Sequence, residues 1–181
     1  MLNKQNYTAK LAPPDILEKI KGYLEIYYQE PKPIEAQEKI RFSLNTSFVQ
    51  DEHCAKPRKL SDYIEKTFAP ETFSDMLLRL IDEKGLKDSQ VYKNANIDRR
   101  LFSKIRSNRN YSPTKITIFS FALALHLSID EAKDLLGVAG FKFNMNNKFD
   151  LILRYCIEEK IYNIADVNDA LYSFKQNLLG C

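Results

Sequence analysis

The sequence predicts a mainly all-α chain, a multi-helix domain behind a small N-terminal region whose form is left open. Three observations carry that expectation. From about residue 70 onward, apolar residues recur at helical spacing in segment after segment. Most of these segments begin at a capping residue or a proline, as helix starts require. A hydrophobic content of 44% with 12% aromatics suits a chain that folds around a core, and 181 residues suffice for one good-sized domain.

The elements follow in order. Residues 1–12 read as frayed. "PDILEKIKGYLEIYYQEP" places Leu17, Ile20, Leu24 and Tyr27 on one helical stripe, with Pro14 near the start and Pro31 as the stop. Between Pro31 and Lys59, "EAQEKI" reads as helical, "IRFSLNTSFVQ" alternates like a short strand, and "DEHCAKPRK" reads as a connector. Ser61 offers a cap for a short helix "DYIEKTF". After Pro70, "ETFSDMLLRLIDEKG" puts Phe73, Met76, Leu77, Leu80 and Ile81 on one face, and Gly85 stands where a left-handed stop is wanted. Asp88 opens the short helix "DSQVYKNA". Asn96 can take the positive φ of a turn, and Asp98 caps "RRLFSKIRSN". Ser112 and Pro113 read as the cap and first-turn proline of the apolar helix "TKITIFSFALALHL". Ser128, with Glu131 three residues on, has capping-box spacing ahead of "IDEAKDLLGVAGF". Two further helices, "KFDLILRYCIEEK" and "IADVNDALYSFKQ", complete the pattern. The expected division is residues 1–60, a helical or mixed region with its connector, and residues 61–181, the helical domain with its C-terminal extension.

Charge is unevenly spread. From Lys87 to Lys115 there are eight Lys or Arg and only two acids, Asp88 and Asp98. The window thus has a surplus of six positive charges in a chain whose net charge is +3, leaving the rest three charges negative. A basic island in a mildly acidic chain concentrates its field on one surface, as polyanion binders do. Within it lies the pattern of a helix-turn-helix. Val91 and Ala95 pack inward from a first short helix, Asn96 makes the turn, Ile97 plugs it, and Phe102 and Ile105 anchor a second helix. Arg99, Arg100, Ser103 and Lys104 then fall on the outer surface of that second helix, at its N-terminal half, the end that enters a major groove.

Residues 73 to about 137 resemble the five-helix DNA-binding domain of the Cro/cI (Xre-like) repressor family. The resemblance runs through "SQVYKNANIDRRLFSKIRSNRNYSP", the ending "ALHLSIDEA" and "LLG". It implies double-stranded DNA as partner, with base-edge contacts from Arg99, Arg100 and Lys104 helped by Ser103. It also implies phosphate contacts from Arg109, Asn110, Thr114 and Lys115. Departures are Tyr92 where the family has a small residue, Arg106 where an acid is common, and Asn96 for the turn glycine. A single short recognition helix reads few base pairs, so a homodimer is expected, through the first helix or the last two. The extra helices and "NLLGC" resemble modules appended to bacterial signalling or defence domains. That likeness implies an alternative: a non-enzymatic adaptor or regulatory subunit that binds a protein partner or RNA, in a signalling or phage-defence system.

Other chemistry finds little material. No GxGxxG, P-loop, GxSxG or HExxH pattern occurs, and the acid pairs Asp82–Glu83 and Glu158–Glu159 are helical neighbours that diverge. No enzymatic activity and no cofactor are expected. His53 and Cys54 lack a second ligand pair, so no metal site is expected. His126 is assigned a structural role and Cys156 a buried thiol. Tyr111 reads as packing at a loop end, with stacking on a sugar or base as the alternative. Three scattered cysteines, no apolar leader at the start and no apolar run long enough for a bilayer point to a cytoplasmic chain that does not engage a membrane.

Overall fold

In the computed structural model, residues 13–28 and 71–180 are described. They belong to one compact unit spanning 1–30 and 71–181; a second unit, 31–70, lies outside the described residues. The expectations for the fraying of 1–12, the strand in "IRFSLNTSFVQ", the connector and the helix "DYIEKTF" lie outside them too.

The described residues are all-helical, without a strand. In chain order the helices are α1 (Pro14–Tyr27), α2 (Phe73–Glu83), α3 (Asp88–Asn94), α4 (Arg99–Ser107), α5 (Lys115–Ala124), α6 (Ile129–Val138), α7 (Lys148–Glu158) and α8 (Ile164–Ser173). None is long and apolar enough to cross a membrane. The centre is α5, whose residues 117–124 are all buried. It is apolar on every side because it packs against α3, α6 and α8. Around it, α2 meets α4 and α6, α3 meets α4, and α7 joins α6 to α8.

Helix α1, expected with a separate N-terminal region, packs on α7 and α8 and so belongs to the helical body. Ile20 and Leu24 make its buried stripe. Tyr27 does not complete it. Tyr23 takes the contact with Tyr155, ring centroids 5.1 Å apart, and Tyr27 stacks outside it on the Tyr23 ring, half-exposed.

Helix starts agree with local chemistry at most positions. Thr72 and Asp75 form a capping box on α2, and Ser128 and Glu131 form one on α6. The backbone N–H of Ser128 donates to Glu131 at 2.7 Å, and this bond, with the Ser128 hydroxyl and Lys84 adding to it, holds that carboxyl below its usual range. The start of α5 differs from expectation. Its cap is Thr114, whose Oγ1 accepts the Thr117 N–H at 3.2 Å, so Ser112 and Pro113 precede the cap.

Six of the eight described helices end on one device. At Gly85, Asn96, His126, Gly140, Lys160 and Lys175 the backbone turns left-handed, with φ between 50° and 76°. In each case the next residue's N–H reaches back five positions, as from Ile97 to the Tyr92 carbonyl at 2.8 Å and from Leu127 to Ala122 at 3.0 Å. These are Schellman stops. Four of the six use a side chain that pays a steric penalty there; after two of them, Asn96 and His126, the following residue, Ile97 or Leu127, is buried in the core. His126 is therefore a stop residue. Its ring stacks on Tyr162 at 4.5 Å, and the Tyr162 hydroxyl donates to the Leu127 carbonyl.

Cys156 lies on the buried face of α7, and burial pushes its thiol up to about 12. A thiol so raised is almost wholly protonated at about pH 8 and unreactive. In a Cys54→Ser, Cys181→Ser background, an aromatic disulfide reagent should leave the folded chain unlabelled and label one thiol once denaturant is added. Rapid labelling without denaturant would contradict the burial.

Candidate nucleic-acid interface

The basic island folds into α3, a tight turn and α4. Val91 and Ala95 are fully buried, and Ile97 plugs the turn from the core side. Asn96 holds the turn at φ 52°. Asp98 Oδ1 then accepts the Arg100 N–H at 2.6 Å and starts α4. Phe102 and Ile105 anchor α4 in the core, which leaves Arg99, Arg100, Ser103, Lys104 and Ser107 on the opposite, exposed face. The four side chains expected to reach base edges are thus brought together on one face.

Tyr92, where the resemblance implied a small residue, does not keep α3 and α4 from contact. It is half-buried and packs on Phe102 at 5.8 Å between centroids. Phe102 in turn meets Phe121 at 6.0 Å, and Phe121 meets Phe73 at 6.4 Å. This chain of rings ties α3, α4, α5 and α2 together behind the exposed face.

The electrostatics separate cations that residue counting treats alike. Arg106 pairs with Asp88, Arg109 with Asp75, and Lys115 with Asp150. Two of those acids, Asp75 and Asp150, lie outside the basic window. Arg99, Arg100 and Lys104 have no carboxylate partner among the described residues. Lys104 sits over the Tyr111 ring at 5.7 Å, which gives Tyr111 a packing role and steadies the ammonium.

The expected phosphate contacts are less uniform. The loop after α4 is pinned to α2: Ser74 Oγ donates to the Asn108 carbonyl at 3.1 Å, and Arg109 Nε to Asp75 at 2.8 Å. The Arg109 hydrogen bond, followed by those from Thr72, holds the Asp75 carboxyl below its usual range. Arg109 keeps two-thirds of its side chain exposed, and Asn110 is exposed beside it. Thr114 is exposed but its hydroxyl is engaged as the cap of α5. Lys115 is turned inward: it donates to the buried Asp150 and lies 5.8 Å from the Phe119 ring centroid. Asp150 stands 35 positions away, and nothing in the local pattern around Lys115 signals it.

Among the described residues no group of His, Cys, Asp or Glu gathers that could hold a metal ion. His53, Cys54 and Cys181 lie outside them. Compared with known proteins, the chain matches no family model, no curated protein and no solved structure.

Proposed function

We propose that this protein is a non-enzymatic, sequence-reading binder of double-stranded DNA of the Cro/cI-like kind, acting as a cytoplasmic regulator. One observation carries the reading: Arg99, Arg100 and Lys104 stand exposed, with no carboxylate partner among the described residues, on one face of a helix anchored by Phe102 and Ile105. A cation already held by a carboxylate gains little from phosphate; an unpaired one releases condensed counterions when it docks. Arg99 and Arg100 supply bidentate donors for guanine edges, Lys104 a third cation, and Ser103 a short adaptable group. Asn110 flanks them as a backbone contact, with Arg109 a weaker one because Asp75 holds its Nε, and Thr114 marks the N-terminal end of α5. Lys115 contributes the least, because Asp150 holds it. Two copies reading two half-sites would supply the affinity that one α4 lacks.

The test is fluorescence anisotropy with random duplexes and with duplexes selected from a random pool, over a range of salt. The native chain should lose affinity steeply with salt and retain a sequence-dependent remainder. The variant with Arg99→Ala, Arg100→Ala and Lys104→Ala should lose about 100-fold or more in affinity for the selected duplex. Its melting temperature should stay within about 2 °C of the native value, since these are surface positions. Undiminished binding by the triple variant would overturn the proposal.

The adaptor reading has one observation in its favour. Ile26 is three-quarters exposed beside the half-exposed Tyr27, at the end of α1. In that case DNA affinity would be weak at every salt concentration, and the chain would co-purify with a protein through α1.

A further inference from the structure

Three residues beyond α8 reach back to the turn that aims α4. Leu178, Leu179 and Gly180 are all buried. Asn168 of α8, itself buried, clamps the Leu179 main chain at both ends: its Nδ2 donates to the Leu179 carbonyl at 3.1 Å, and its Oδ1 accepts the Leu179 N–H at 2.8 Å. One residue on, the Gly180 carbonyl accepts from Asn96 Nδ2 at 2.9 Å. The two partners are 84 positions apart. Both have left-handed backbones, φ 52° at Asn96 and 74° at Gly180. The approach is so close that a Cβ on residue 180 would fall 2.5 Å from the Asn96 Cβ. Only glycine fits on the tail side without displacing the turn.

On the turn side, asparagine does what glycine could not. Glycine adopts a positive φ more readily, but it has no amide to donate. Asn96 therefore serves both as the Schellman stop of α3 and as the anchor for the 178–180 segment. Next to it, Ile97 and Asp98 set where α4 begins.

We infer that residues 178–180 are a splint: clamped by Asn168 and bonded to Asn96, they fix the pitch of α4, which makes Asn96 and Asn168 positioning residues for the exposed Arg99, Arg100 and Lys104. The proposal rests on the duplex-binding reading for its functional consequence. Its mechanical part stands on geometry alone. A reading helix must be held within a fraction of an ångström to match base edges, whereas phosphate contacts by long cations tolerate misalignment. Loss of the splint therefore degrades discrimination before it degrades attraction.

The experiment compares Asn96→Gly, Asn168→Ala and Gly180→Ala in the full chain. Asn96→Gly keeps the turn conformation and removes only the anchor. Hydrogen exchange of the amides from Ile97 to Ile105 should quicken about tenfold in each, while that of α7 stays as in the native chain. The affinity ratio between selected and random duplexes should fall about tenfold, with the slope of affinity against salt unchanged, because the cations themselves remain. Unchanged exchange from Ile97 to Ile105 in all three variants would overturn the splint. So would quickened exchange with an unaltered ratio in a chain that binds duplex. Should the native chain bind no duplex, the preceding reading fails, and the exchange comparison by itself upholds or overturns the splint.

Discussion

Replacing Asp150 with Ala is expected to cost about 3 kcal/mol of stability, toward the lower end of what breaking a buried ion pair costs. The carboxylate is 2% exposed and accepts from two donors, Lys115 Nζ and the Asn144 backbone N–H, the latter at 2.6 Å. Truncation leaves the N–H without its acceptor and the ammonium without its counter-charge. The ammonium side chain keeps 24% of its surface in water, and this holds the loss below that of a fully enclosed pair. For a chain of this size the melting temperature should fall by roughly 6–12 °C, read by circular dichroism. Asp150→Asn preserves an acceptor for Asn144 and should lose less. A double-mutant cycle between Lys115→Ala and Asp150→Ala should return a coupling of at least about 1 kcal/mol. Melting within about 1 °C of the native value would show that the pair contributes little. Lys115 would then be released to act as a phosphate contact, and Lys115→Ala would flatten the salt dependence of duplex binding.

Phe121→Ala carries the other large expected effect, about 4 kcal/mol, because it leaves a cavity where two rings meet a third. Phe121 is fully buried on α5 and bridges Phe73 of α2 to Phe102 of α4. The loss should lower the melting temperature by roughly 8–16 °C. Phe121→Leu retains most of the volume and should cost about 1–2 kcal/mol. The position also tests how α4 is supported. At a temperature where Phe121→Ala is still folded, exchange in α4 should rise more than in α7, since Phe102 rests on the vacated site. Equal effects on both helices would mean that the ring chain does not selectively brace the basic face.

These two sites differ in how far each could be read from local pattern. Phe121 lies in an apolar run that announces burial, although its partners do not show. Asp150 sits in "KFDLILRY" as one acid near a helix start, where a solvated first-turn carboxylate is the ordinary expectation.

What the amino-acid order determined by itself is much of what closes within a few residues. The stripe Phe73, Met76, Leu77, Leu80 and Ile81, the turn at Asn96, the cap at Asp98 and the box of Ser128 and Glu131 all stand as their spacing requires. Hydrogen bonds and periodicity of that range are set by neighbours along the chain, so they survive whatever the rest of the molecule does. Only the tertiary structure decided which cations meet a carboxylate among the described residues. Arg106, Arg109 and Lys115 look no different from Arg99, Arg100 and Lys104 in the sequence, yet each meets a carboxylate 18 to 35 positions away. The same holds for the stops at His126, Lys160 and Lys175 and for the bond from Asn96 to Gly180. Charge and backbone preference belong to a residue, but pairing depends on distance in space, and that distance exists only once the helices have packed.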